Sequence, residues 1–335
     1  MVDVARVQVG PKIREWSRQH GFSDWMVARI VRLSPDPAAV LEGLLHRPPR
    51  YVRVNTLRAG AEEVKLRLES RGFSISRSDL DDYVLRIRNA PMSPGATVEH
   101  MLGMTSPQDL ASSSVGLALQ AKPGETIIDL AAAPGMKTIQ VAGSLAQHRD
   151  GHVRQRGAIV AVEPDESRMR ALRFNLERCG VSSAVLRLGR GQDVPGEGWA
   201  DRILLDAPCT GEGTLPKDKN RRFMQPEEIA QSAQLQAQLI DAADRLLKPG
   251  GTLVYATCTF APEENEAQLM RLLGRGYKID ALPFDRCSNT PLVPGVTEWP
   301  GLQLDQELRK ARRFIPGTHP TLGFFVAKLR KGGGA

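Results

Sequence analysis

No run of the 335 residues approaches the ~18 uninterrupted apolar positions that a membrane-spanning helix requires. The opening MVDVARVQVGPKIREW carries no signal-type apolar region. The chain is therefore expected to be cytoplasmic, without a membrane partner. Cysteine is scarce: Cys179, Cys209, Cys258 and Cys287 are all there are, and no two form C-x-x-C. That spacing argues against a structural zinc site, and the length argues against a disulfide framework. No metal is expected, and each thiol is either a small buried hydrophobe or a reagent. Internal repeats are absent, and low complexity is confined to the GGGA tail, which is expected to fray. Acidic residues are missing from two stretches. Residues 43–61 hold Arg47, Arg50, Arg53 and Arg58 and no acid, and residues 309–331 hold seven bases and no acid. With a net charge of +7, these stretches point to a polyanionic partner, nucleic acid foremost. Nothing speaks for an oligomer, so a monomer is the default.

What is present fits a globular protein, 41% hydrophobic and 25% charged. Residues 12–45 have helical spacing interrupted by SPDP. RYVRVNT and DYVLRIR alternate as strands do, with the helical AEEVKLRLESRG between them. Residues 1–98 are thus expected to form a helical segment plus a small α+β unit of RRM type, with a boundary at APMSPGAT. Residues 99–331 read as the main domain. In it ETIIDLA, GAIVAVE, ADRILLDAPC and GTLVYATCT are short and apolar on both faces, and helical stretches separate them. This is the pattern of an α/β, doubly wound, mostly parallel sheet of Rossmann-like type. YKIDALPF and GFFVAKL leave little room for a crossover helix, so an antiparallel C-terminal end is expected.

The loop DLAAAPGMKT joins the first of these strands to a helix. It is neither G-x-x-x-x-G-K-[ST] nor G-x-G-x-x-G, which disfavours a nucleoside triphosphate and gives little support to a nicotinamide dinucleotide. What remains is a small-residue turn ahead of a helix N-terminus suited to a carboxylate. GAIVAVE ends in Glu163, placed to accept both hydroxyls of a ribose. A ligand with a ribose and a carboxylate but no phosphate is S-adenosylmethionine. Capping of the following helix is the bland alternative for Glu163.

In a doubly wound sheet the site lies at the carboxyl ends of the strands. LLDAPC puts Asp206 and Cys209 at one such end, and YATCT puts Cys258 at another. Either thiol alone reads as well as an inert buried cysteine; the pair on the ligand side is harder to dismiss. Methyl transfer to carbon 5 of a pyrimidine has a use for thiols. A thiolate adding to carbon 6 makes carbon 5 nucleophilic, and a base must then remove the carbon-5 proton before the thiolate can leave. Lys137 is a candidate source of the positive charge that would favour a thiolate. Asp206 either orients the target's exocyclic amine or bonds its own loop. Pro262, Glu263 and Glu264 read as the first turn of a helix.

RYVRVNTL, QDLASS, DLAAAPGMKT, LLDAPCTGEGT, TCTFAPEENE and GFFVAKL, in that order, resemble the Nop/Sun family of S-adenosylmethionine-dependent RNA 5-cytosine methyltransferases. The likeness spans about residues 50–329. It implies a class I methyltransferase domain whose nucleophile is Cys258 and whose product-release thiol is Cys209. It also implies a cofactor site of Ala131, Ala132, Ala133, Pro134, Gly135, Met136 and Lys137 with Glu163, Arg168 and Asp206. Met136 stands where the family has a second glycine. Where the family has an aspartate after the third strand, LRLGRGQDV offers Gly189, with Asp193 as the substitute. Arg53, Asn55, Arg312 and Arg313 are the expected RNA contacts. The RNA is a tRNA or an rRNA, compact size favouring tRNA slightly. A DNA enzyme using Cys209 as nucleophile and a non-catalytic RNA-binding factor are the alternatives.

Overall fold

The computed structural model describes residues 9–149 and 152–333. The first eight residues and the end of the GGGA tail lie outside them. Contacts divide the chain into two units. The first comprises Met1–Pro48, Ala207–Ile240 and Ala256–Ala327, and the second Pro49–Asp206, Asp241–Tyr255 and Lys328–Ala335. The expected break near residue 98 is thus not where contacts divide the chain. The helical segment before residue 49 packs with distant sequence, and the small α+β region packs with the parallel strands.

The second unit is built on parallel strands. Thr126–Asp129 lies between Ala158–Glu163 and Ala200–Asp206, parallel to both, and Ala184–Leu188 continues the sheet beyond Ala158–Glu163. Leu247–Thr257 flanks Ala200–Asp206 on the other side. Ile127, Ile128, Ile159, Ala161, Ile203, Leu204 and Leu253 are sealed from solvent, which is why these strands read as unbroken apolar runs rather than as alternation. Helices Met136–Ser144 and Glu166–Cys179 form the crossovers. Leu172, Leu176 and Met169 of the latter pack on Ala161, Ile139 and the loop alanines Ala132 and Ala133.

The small α+β region of this unit is a four-stranded antiparallel sheet in the order Ser74–Arg77, Val84–Asn89, Arg50–Val54, Thr105–Pro107. Helix Ala61–Ser70 links its first two strands in sequence, and the short helix Val98–Met101 precedes its last. Val52, Val54, Leu85 and Ile87 alternate inward and meet Val64 and Leu68 of the helix. The hairpin of Ala146–Arg149 with His152–Gln155 had no clear signal in the sequence, because it is polar on both faces.

The first unit opens with helices Pro11–His20, Asp24–Leu33 and Pro37–Leu45. Proline at the start of the first and third needs no N–H there, and Ser23 and Asp36 cap the second and third through the N–H groups of Met26 and Ala39. Met26, Val27, Ile30, Leu41 and Leu44 bury against Leu215, Ile229, Phe260 and Ile315 of the same unit. Arg312–Phe314 pairs antiparallel with Phe324–Val326, and Val293–Pro294 with Arg312–Arg313. The C-terminal end is antiparallel, as expected.

Candidate active site

In the second unit, three of the parallel strands end in carboxylates: Asp129, Glu163 and Asp206. The loop after Asp129 is held by carbonyl contacts. Arg168 Nη2 donates to Ala133 O at 3.0 Å, and Asn175 Nδ2 to Pro134 O at 2.9 Å. Gly135 has φ +105°, and a Cβ there would meet Leu172 Cδ1 at 2.9 Å, so both conformation and space demand glycine. No side chain caps the helix that starts at Met136, so its first N–H groups keep their capacity for an anion.

Glu163 is fully buried, as the cofactor reading requires, yet its Oε2 has no hydrogen-bond partner among the described residues. Its Oε1 accepts the N–H of Asp165, and the Arg168 guanidinium stands 3.6 Å from Oε2. Asp129, missed in the sequence, shows the same feature: Oδ2 accepts from Thr138 Oγ1 at 2.7 Å, and buried Oδ1 has no hydrogen-bond partner among the described residues. Burial pushes the Asp129 carboxyl up to about 6 against the pull of Thr138, with the Asp206 charge adding to the rise. Buried acceptors of this kind suit a ligand that brings hydroxyls and an ammonium, so the residues fit the expected methyl donor. After the third strand the chain passes through Gly189 at φ +147°, with open space where a side chain would be. Asp193 is exposed; its N–H donates to Arg190 O and its carbonyl accepts from Arg187. Lys137 Nζ meets Asp206 Oδ2 at 2.6 Å, so two expected catalytic groups form one ion pair.

The first unit holds both thiols. Cys209 and Cys258, 49 residues apart, bring their sulfurs to 3.3 Å, and both are half-buried. The Cys209 thiol is raised well above its ordinary range, first by its hydrogen bond to Cys258 and then by burial. Cys209 therefore keeps its proton.

The acids after Cys258 are not a helix first turn, since the helix begins only at Glu266. Glu263 receives both Arg29 guanidinium nitrogens, Nη1 at 3.0 Å and Nη2 at 2.5 Å, and Trp299 Nε1 at 3.0 Å. Burial alone would raise the Glu263 carboxyl; the Arg29 contacts outweigh it and hold it low. The Arg29 guanidinium also stacks within 5.0 Å of the Trp25 ring and 4.9 Å of the Trp299 ring.

Three of the four expected RNA contacts are corrected. Asn55 is 4% exposed, and its amide donates to Gly103 O and Cys179 O while its Oδ1 accepts the Leu57 N–H. Arg313 is 2% exposed, bound to both oxygens of Glu266 and to Phe260 O. Arg53 is largely buried against Asp81. Burial and partners inside the protein turn these three groups away from the surface an RNA would meet. Arg312 is half-exposed, turned toward the carbonyls of Arg309 and Ala311.

A doubly wound sheet with such a strand-end loop and an acid at its second strand tip defines a class I methyltransferase fold. The family model described as 16S rRNA methyltransferase RsmB/F matches residues 116–330. The chain is 34% identical over 291 residues to the tRNA (cytosine(49)-C(5))-methyltransferase of Pyrococcus abyssi, covering 86% of this chain and 90% of that protein. It is 35% identical to ribosomal RNA small subunit methyltransferase F of Aliivibrio salmonicida, across 84% of this chain and 58% of that protein. It is 30% identical to the 26S rRNA (cytosine-C(5))-methyltransferase nsun-1 of Caenorhabditis elegans, across 93% of this chain and 47% of that protein. The chain thus spans about half the length of these two rRNA relatives. A crystal structure of a methyltransferase homolog from Pyrococcus horikoshii superposes with a TM-score of 0.83 at 33% identity, over 96% of this chain and 99% of that one. NSun6 from the same organism, solved with SFG, shares the fold at a TM-score of 0.76 and 23% identity, over 96% of this chain and 98% of that one. The chain belongs to the RsmB/F family, the Nop/Sun RNA cytosine-C5 methyltransferases. No helix among the described residues is long and apolar enough to cross a membrane.

Proposed function

We propose that this methyltransferase works through Cys258 as nucleophile and Cys209 as the base that frees the product, with S-adenosylmethionine as cofactor and tRNA as substrate. The observation that carries this reading is the 3.3 Å sulfur pair in which Cys209 keeps the proton. Two sulfurs this close can serve the same pyrimidine ring, one bonding carbon 6 and the other acting at carbon 5.

The Cys258 thiolate adds to carbon 6 of a cytosine lifted out of its stack, and the electron pair of the 5,6 double bond passes to carbon 5 and the ring. S-adenosylmethionine, when bound, supplies an electrophilic methyl group. Glu163 would hold its ribose hydroxyls, and the Gly135–Met136 helix start its carboxylate. Once carbon 5 carries the methyl group, its proton must leave. With the Cys258 sulfur tied up in the carbon–sulfur bond, the contact that most favoured the Cys209 proton is gone. Cys209 then loses that proton to water and takes the one from carbon 5. The 5,6 double bond re-forms, and Cys258 departs as thiolate. Lys137 and Asp206 would orient the base or the donor as a pair.

The tRNA reading is supported by the Pyrococcus abyssi relative, matched over 90% of its length. Exposed bases suited to phosphate are Arg58, Arg149, Arg154 and Arg156. Arg58, Tyr83, His148 and Val153 line a groove of about 410 Å³ in the second unit. The test is transfer of labelled methyl groups to tRNA and to small-subunit rRNA transcripts, followed by nucleoside analysis. The expected product is 5-methylcytidine in tRNA. Label in rRNA alone overturns the substrate reading, and label elsewhere than carbon 5 overturns the chemistry.

A further inference from the structure

The loops that carry the two thiols hold each other through glutamates. Glu264, from the loop after Cys258, grips the residue after Cys209: its Oε2 accepts the Thr210 N–H at 3.1 Å and its Oε1 lies against Thr210 Oγ1. Glu212, from the loop after Cys209, grips the residues after Cys258: its Oε2 accepts from Thr259 Oγ1 and from the Phe260 N–H, both at 2.9 Å. Between them the two hydroxyls touch, Thr210 Oγ1 to Thr259 Oγ1 at 2.9 Å. Gln236 Nε2 joins from helix Pro226–Leu246, donating to Glu264 Oε2 at 2.8 Å and to Pro208 O at 2.9 Å.

Protons can be counted along this chain. The links Glu264–Thr210, Thr210–Thr259 and Thr259–Glu212 are three oxygen–oxygen contacts, and the two threonines supply only two protons. If both carboxylates were ionised, one contact would set lone pair against lone pair in a buried site. A third proton resolves the count, and its place can be assigned. Thr259 Oγ1 already accepts the Ala261 N–H at 3.3 Å while donating to Glu212. The Glu212 oxygen in the chain also accepts from Phe260, so it is the poorer place for a proton. In Glu264 the backbone and amide donors both go to Oε2, leaving Oε1 as the oxygen that faces Thr210.

We infer that Glu264 is a positioning residue held in its acid form, whose proton completes the chain through Thr210 and Thr259 to Glu212 and so locks Cys209 beside Cys258. Burial pushes the Glu264 carboxyl up to about 7, with the Glu212 charge adding to the rise against the hydrogen bonds of Thr210 and Gln236. Charged or titratable groups that act on it include Glu212 and Cys209; burial raises the Glu212 carboxyl too, with the Arg29 charge and the Thr259 and Phe260 donors pulling it down and the Glu263 charge adding to the rise. The acid form also matters for the thiol. An ionised Glu264 raises Cys209 further, making its thiolate harder to reach. This last consequence rests on the reading that Cys209 withdraws the carbon-5 proton; the proton count does not.

Glu264→Gln tests the assignment, because an amide presents a donor at Oε1 and an acceptor at Oε2, as the acid does. Urea midpoints of the full chain are compared at about pH 5.5 and about pH 8.5. An acid with a raised folded-state value loses stability as pH rises toward that value. The variant is therefore expected to match wild type at the lower pH and exceed it at the higher. A variant that fails to fold, is weaker at both values or shows no pH-dependent difference overturns the assignment. A second readout follows resolution of the enzyme–RNA adduct with pH. Wild type is expected to fall behind Glu264→Gln by roughly threefold to tenfold between about pH 6 and about pH 8. Parallel profiles overturn the link to Cys209. Absence of any adduct in wild type defeats the thiol mechanism instead, and the midpoints still decide the proton count.

Discussion

The two units bury carboxylates on opposite terms. In the second unit Asp129 and Glu163 are sealed from solvent, yet each keeps one oxygen without a partner among the described residues. In the first unit Glu212, Glu263, Glu264 and Glu266 are equally sealed, and each is engaged by donors of its own unit. An unsatisfied buried oxygen costs about 1–3 kcal/mol and is retained where a ligand will use it. A satisfied one fixes geometry. On the proposed function, the second unit receives the methyl donor and the first clamps the two sulfurs.

Substitutions that break one unit should leave the other's property intact. The largest effect is expected at the reacting sulfur: Cys258→Ser should lower methyl transfer by at least about 1,000-fold with melting unchanged, as label incorporation and calorimetry will show. Next comes the clamp. Arg29→Met strands the Glu263 charge and should cost about 3–5 kcal/mol in denaturant titrations, without weakening cofactor binding by the folded protein. If that substitution proves silent, the first unit is not held by its ion pairs and the contrast fails.

A smaller effect belongs to Asp129, whose carboxyl is raised from 3.8 to about 6. Its folded form binds the proton more tightly than the unfolded chain. The stability it contributes is present in full below about pH 4 and is lost as pH rises through about 6, up to about 3 kcal/mol. Asp129→Asn should flatten the stability profile across that window. Smallest is Glu163→Gln. Cofactor affinity should drop about 10–100-fold by titration calorimetry, the worth of charge-assisted bonds to two hydroxyls, with no loss of stability in the ligand-free protein. A large loss of stability there would make Glu163 structural and blur the two units into one kind.

Much of this division is legible in the sequence. Parallel strands buried on both faces announce themselves as short apolar runs, so the position of Asp206, Glu163 and both thiols at or just past strand ends could be read from the sequence. Asp129 escaped because nothing in DLAAAPGMKT distinguishes a working acid from a strand terminus. The arginines failed for a different reason. An acid-free stretch looks like a basic patch only while its partners are out of sight. Arg313 is neutralised by Glu266, 47 residues away, and Arg29 by Glu263, 234 residues away. The same pairings hid the clamp: PEENE reads as an acidic helix start, and its role depends on Thr210, Gln236 and Arg29, which only the fold brings to it.

The central claim is that Cys258 bonds the cytosine and Cys209 lets it go. It is tested most directly on a denaturing gel, with S-adenosylmethionine and RNA carrying 5-fluorocytosine or ordinary cytosine. Wild type should form a stable adduct with the fluorinated RNA, Cys258→Ser none, and Cys209→Ser one that persists even with ordinary RNA. An adduct that survives loss of Cys258 and vanishes with Cys209 would contradict the account and exchange the roles of the two sulfurs.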